Sequence, residues 1–104
     1  MAKNLNYVFL LDCYGELLTE RQQQIAELYY NEDFSLSEIA EMQNITRQAV
    51  RDSLRHSENI LSQTEEKLGM AKRISQMRFC LEQIVKNSES EQIAELARNG
   101  LALL

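Results

Sequence analysis

Apolar residues recur at helical intervals along nearly the whole chain. In residues 4–14, Leu5, Val8, Phe9 and Cys13 fall at three- and four-residue steps with Asp12 among them, and Leu10, Leu11 and Tyr14 fill the flank. That spacing predicts a helix with one broad apolar face, closed by Gly15 as a C-terminal cap. Three start signals follow. Thr19 precedes Gln22 by three residues, Ser35 precedes Glu38 by three, and Thr46 opens the run holding Ala49, Val50 and Leu54. A hydroxyl at such a position accepts a hydrogen bond from an amide that the helix's first turn leaves unpaired. The signals predict helices over 20–30, over 36–43 and from 46 onward. The first turns Ile25, Leu28 and Tyr29 to the core and Gln22, Gln23, Gln24 and Glu27 mostly to water, and residues 31–34 form a loop whose Phe34 packs near Ile39.

The turn between the last two of these helices needs a residue that tolerates positive φ, and Asn44 stands there. Small Ala40 lets the two helices approach, and Ile45 plugs the angle between them. Residues 19–55 therefore read as a helix-turn-helix. The outward residues at the start of its second helix are Arg47, Gln48 and Arg51, with Asp52 and Arg55 a turn further on. In such a motif these positions face the major groove, where Arg can bridge guanine edges or phosphates and Gln can read adenine. The plainer reading makes them ordinary exposed positions, with Asp52 and Glu58 pairing to Arg55 and its neighbours.

No breaker follows until Gly69, so the second helix should run about 22 residues. Leu54, Ser57, Leu61, Thr64 and Leu68 continue its stripe, and Met70, Ile74, Met77, Leu81 and Ile84 repeat the spacing over 70–87. Two such faces joined at a glycine suggest an antiparallel hairpin, giving a helix-turn-helix domain over 1–56 and a helical hairpin with tail over 57–104. Ser57 and Thr64 weaken the seam, so either further packing partners or a homodimer through the C-terminal helices is expected to cover it. Ser88-x-x-Glu91 signals a short final helix carrying Ile93, Ala94, Leu96 and Ala97 and ending at Asn99-Gly100.

Composition sharpens this all-α reading: the chain has no proline and three glycines. Its net charge of −5 is unevenly spread, at −6 over residues 1–45, +3 over 46–87 and −2 over 88–104. Positive charge gathers from the recognition turns onward, as attraction to an anionic partner requires, while the acidic first half is a solvated face or a docking surface for a basic protein. There is no membrane-spanning apolar stretch and no leader-like start, so a cytoplasmic protein without membrane insertion is expected. Cys13 and Cys80 are far apart and share no ligand spacing with His56, so free, largely buried thiols and a surface or packing histidine are expected, with no metal site. Tyr29 and Tyr30 could stack on bases, but their spacing beside Ile25 and Leu28 favours the core. Phosphate-binding loops, nucleophile elbows and acid-base-nucleophile sets are absent, so neither catalytic residues nor cofactors are expected.

The run LTERQQQIAELYYNEDFSLSEIAEMQNITRQAV resembles region 4 of sigma-70-type factors, with its leucine-threonine-x-arginine start, its glutamate-isoleucine-alanine segment and its threonine-arginine opening of the recognition helix. Over about residues 4–87 the chain is similar to the YlxM-like family of small proteins, in which this winged-helix-like domain continues into a charged helical tail. The resemblance implies a DNA-binding regulatory protein, with Arg47, Gln48, Arg51 and Arg55 as the contacting residues. Members of that family are typically encoded beside components of the signal recognition particle. It therefore also implies a part in co-translational targeting, with particle protein or RNA as partner, or a module that binds those partners without DNA.

Overall fold

A computed structural model describes residues 3–104, and all regular structure among them is helical: α1 (Leu5–Tyr14), a 3-10 turn (Gly15–Leu17), α2 (Glu20–Tyr30), α3 (Leu36–Gln43), α4 (Arg47–Leu68), α5 (Met70–Asn87) and α6 (Glu91–Ala102). The expected capping boxes form at Thr19 with Gln22 and at Ser35 with Glu38, each hydroxyl accepting from the third amide while the third side chain accepts from the cap's own amide. The chain forms two compact units, residues 1–68 and 69–104. The expected boundary after His56 falls inside α4, which lies whole in the first unit.

In the first unit α4 is the central helix, packed by α1, α2 and α3. Its Val50, Leu54, Ser57 and Leu61 are buried against a core of Leu10, Leu11, Tyr14, Leu18, Ile25, Ala26, Ile39 and Ala40. Two expectations for α1 need correction. Phe9 and Asp12 face water, Val8 and Cys13 are half-buried, and the buried side is Leu10, Leu11 and Tyr14 with half-buried Tyr7. The side chain of Leu5, which the sequence placed on the apolar face, lies outside the described ones. Because α1 is apolar nearly all round, its pattern did not fix which side faced inward. Gly15 follows α1 as expected but is right-handed, at φ −55° and ψ −30°, and starts the 3-10 turn. A Cβ there would sit 3.3 Å from the Leu11 and Gln23 side chains, so close packing explains this glycine better than a left-handed cap.

Three tyrosines tie α1 and α2 to one stripe of α4. The Tyr30 hydroxyl donates to Glu58, the Ser62 hydroxyl donates to the Tyr7 oxygen at 3.3 Å, and the Tyr14 hydroxyl donates to Glu65 at 2.6 Å. Burial, with the Glu58 carboxylate beside it, pushes the Tyr30 hydroxyl's pKa well above its ordinary value. Half-buried Lys3 closes the far side: its ammonium donates to the carbonyls of Tyr29 (2.6 Å) and Phe34 (2.8 Å) and lies 3.9 Å from the centre of the Tyr29 ring. It also pairs with exposed Asp33 at 3.2 Å.

The second unit is a hairpin of α5 on α6. The hairpin expected between residues 54–68 and 70–87 spans the two units: within the first, Leu54, Ser57 and Leu61 of the α4 stripe are buried, Thr64 is half-buried and Leu68 is exposed, and within the second α5 packs on α6. The cap of α6 is Ser90, whose hydroxyl accepts from the Ile93 amide, while Ser88 bonds to Ser90. The helix also continues past Asn99-Gly100 to Ala102: Gly100 is not left-handed and serves close packing instead, since a Cβ there would lie 3.3 Å from the Leu81 side chain. Both cysteines are free, but Cys80 is exposed and Cys13 half-buried, contrary to the expected burial.

Candidate nucleic-acid interface

The candidate interface is built by the ends of two helices. Asn44 adopts φ 55° and ψ 47°, the left-handed conformation expected of it, and its amide and that of Ile45 return to the last carbonyls of α3, the latter to Ala40 at 3.0 Å. This closure ends α3 and turns the chain sharply. Thr46 then caps α4, its hydroxyl accepting from the Ala49 amide at 3.0 Å and its carbonyl from Val50 at 3.1 Å. With Val50 and Leu54 sunk in the core, the helical period forces the opposite side of the first turns outward.

On that outer side lie Arg47, Gln48, Arg51, Asp52 and Arg55, all exposed. Arg47, Arg51 and Arg55 are four residues apart and form one stripe; Gln48 and Asp52 form the next. Among the described residues none of these three arginines is in an ion pair. Glu58 bonds to Tyr30 instead, and Asp52 accepts from the Gln48 side-chain amide at 2.9 Å. The pairing of Asp52 and Glu58 with Arg55 therefore does not form, and three guanidinium groups stand uncommitted on one face. The Gln48–Asp52 bond went unforeseen, although the four-residue spacing of an amide and a carboxylate is the signal for it. His56 is exposed beside this surface. Among the described residues no group of three or more His, Cys, Asp or Glu could hold a metal ion.

A core of α1–α4 that presents the exposed start of α4 behind a left-handed turn defines a helix-turn-helix protein. The chain belongs to the family described as "Putative helix-turn-helix protein, YlxM / p13 like", whose model matches residues 1–99. Its relatives include a "UPF0122 protein" of Desulforamulus reducens, 54% identical over 88% of this chain and 78% of the relative. Another "UPF0122 protein", from Acetivibrio thermocellus, is 41% identical over all of this chain and 89% of the relative. No helix among the described residues is long and apolar enough to cross a membrane.

Proposed function

We propose that this protein is a non-catalytic regulator in the cytoplasm that binds double-stranded DNA through the start of α4. The observation that carries the reading is the row of uncommitted Arg47, Arg51 and Arg55 beside Gln48 on the exposed side of a properly capped recognition helix. Arg47, Gln48 and Arg51 reach base edges and Arg55 meets phosphate, while two copies joined through their C-terminal helices present two recognition helices to paired half-sites. The test is duplex binding by the Arg47→Ala/Arg51→Ala variant. At about 1–3 kcal/mol per base contact, affinity should fall at least about 30-fold and the salt dependence should flatten, with helicity unchanged. Equal affinity in variant and parent would overturn the reading.

A second reading takes the protein as a module of the co-translational targeting machinery that holds a protein or ribonucleoprotein partner without touching DNA. It is favoured by the acidic first 45 residues, on which Glu32, Asp33 and Glu41 are exposed, and by the family's resemblance-based link to the signal recognition particle. Charge reversal at these three positions should then weaken capture of particle components, and indifference to the reversal would exclude the acidic face.

A further inference from the structure

The helical hairpin has more apolar surface than it uses. On α5 the buried or half-buried side is Ala71, Ile74, Leu81 and Val85, and on α6 it is Ala94, Ala97, Leu101 and Leu104 at the end of the chain. A second apolar stripe lies open on each helix: Met70, Met77 and Ile84 on α5, and Ile93, Leu96 and Leu103 on α6 and the residue that follows it. These six side chains are between 41% and 88% exposed. The stripe predicted as one seam on α5 is thus divided between two faces.

Both open stripes lie on the same side of the hairpin. On each helix the open stripe sits roughly a quarter turn behind the buried one, at about 100° per residue. The helices run antiparallel, joined by only three residues, and equal rotations about opposed axes carry opposed inward directions to a common side. The resulting face is nearly free of charge, with Arg73 and Cys80 at the α5 edge and Gln92 and Asn99 at the α6 edge. A 36-residue hairpin whose buried side chains are only Ala71, Ala94 and Ala97 among the described residues has little core of its own.

From this we infer that the open face is covered by the same face of a second copy, completing a four-helix bundle with α5 of each copy lying on α6 of the other. The six side chains offer on the order of 600–700 Å² per copy, close to the ~800 Å² per partner of a standard interface. The seven-residue steps of Met70, Met77 and Ile84, and the three- and seven-residue steps of Ile93, Leu96 and Leu103, suit the interlocking of bundle helices. Charge chooses between the two ways of stacking such faces. α5 carries a net +3 and α6 a net −1, so a two-fold axis along the helices brings unlike helices together, and an axis across them would stack α5 on α5. This deepens the two-copy part of the proposed function and stands without DNA.

The experiment uses the full chain without nucleic acid. Sedimentation over about 1–100 µM should show a dimer, and Met77→Glu/Leu96→Glu should weaken self-association by at least about 100-fold with helicity retained, since each change buries a carboxylate only in the assembly. The packing of Leu81 on Gly100 sets Cys80 of one copy level with Asn99 of the other. In a Cys13→Ser background, Asn99→Cys should therefore allow a disulfide to Cys80 between copies on mild oxidation, whereas Cys80 should not bridge to itself. A parent chain that stays monomeric, a double variant that stays dimeric, or a Cys80–Cys80 bridge would each overturn the arrangement. Failure of the parent dimer to bind DNA would instead overturn the preceding proposal and leave the assembly intact.

Discussion

Ser57 offers a sharp test of the packing that holds the recognition helix. It is 1% exposed, lies on the inward stripe of α4, and its hydroxyl oxygen has no hydrogen-bond partner. Folding therefore strips water from that hydroxyl without replacing the bond, at a cost of about 1–3 kcal/mol. Ser57→Ala removes the cost and adds about 0.5 kcal/mol of helix propensity, against a void one oxygen in size. The net expectation is about 1–2 kcal/mol of added stability. In a unit of this size that raises Tm by about 4–8 °C per kcal/mol. Urea unfolding followed by circular dichroism should show a higher midpoint at unchanged slope. Destabilisation by about 1 kcal/mol or more would mean that the hydroxyl has a partner in solution and that the helix sits differently against α1 and α2.

Asn44→Gly should leave stability within about 0.5 kcal/mol, whereas Asn44→Val should cost about 1–2 kcal/mol in thermal melts, because a β-branched residue resists φ 55°. Lys3→Met should cost about 1–3 kcal/mol in urea unfolding by leaving the Tyr29 and Phe34 carbonyls unpaired; the ion pair to exposed Asp33 contributes little of that. Tyr30, whose pKa is raised in the folded state, should make stability pH-dependent in one direction. Its contribution is complete below the unfolded value of 10.0 and is lost as pH rises beyond it, because the unfolded chain then releases a proton that the folded chain retains. Unfolding free energies measured from pH 8 upward should therefore fall less steeply above about pH 10 in Tyr30→Phe than in the parent.

Local chemistry made much of the fold legible. Thr19, Ser35 and Thr46 mark helix starts because a short hydroxyl side chain answers a specific deficit of amide partners, and Asn44 marks the turn because few residues accept positive φ. The uninterrupted run to Gly69 likewise gave the full length of α4. Where the pattern was degenerate, it could not choose. α1 is apolar on several sides, so the inward choice of Leu10, Leu11 and Tyr14 is settled only by what α4 and α2 offer it. On α5 two adjacent apolar stripes look like one in sequence, and only the approach of Leu81 to Gly100 separates the covered stripe from the open one. At the candidate site the exposure of Arg47, Gln48, Arg51 and Arg55 follows from the helical period alone. The pairing of Gln48 with Asp52, and of Glu58 with Tyr30, depends on side-chain choices among several partners in reach. The clasp at Lys3 joins groups about 30 residues apart, which no local signal announces.

The proposed function rests on the reading of DNA by the start of α4. Its most direct test is co-purification from crosslinked cells of the producing organism, with DNA, RNA and protein read from the same sample and Arg47→Ala/Arg51→Ala run in parallel. Discrete DNA sites that vanish in the variant are the expected result. Recovery of particle RNA and protein without discrete DNA sites, and unchanged by the variant, would contradict it and leave the helix-turn-helix as a scaffold.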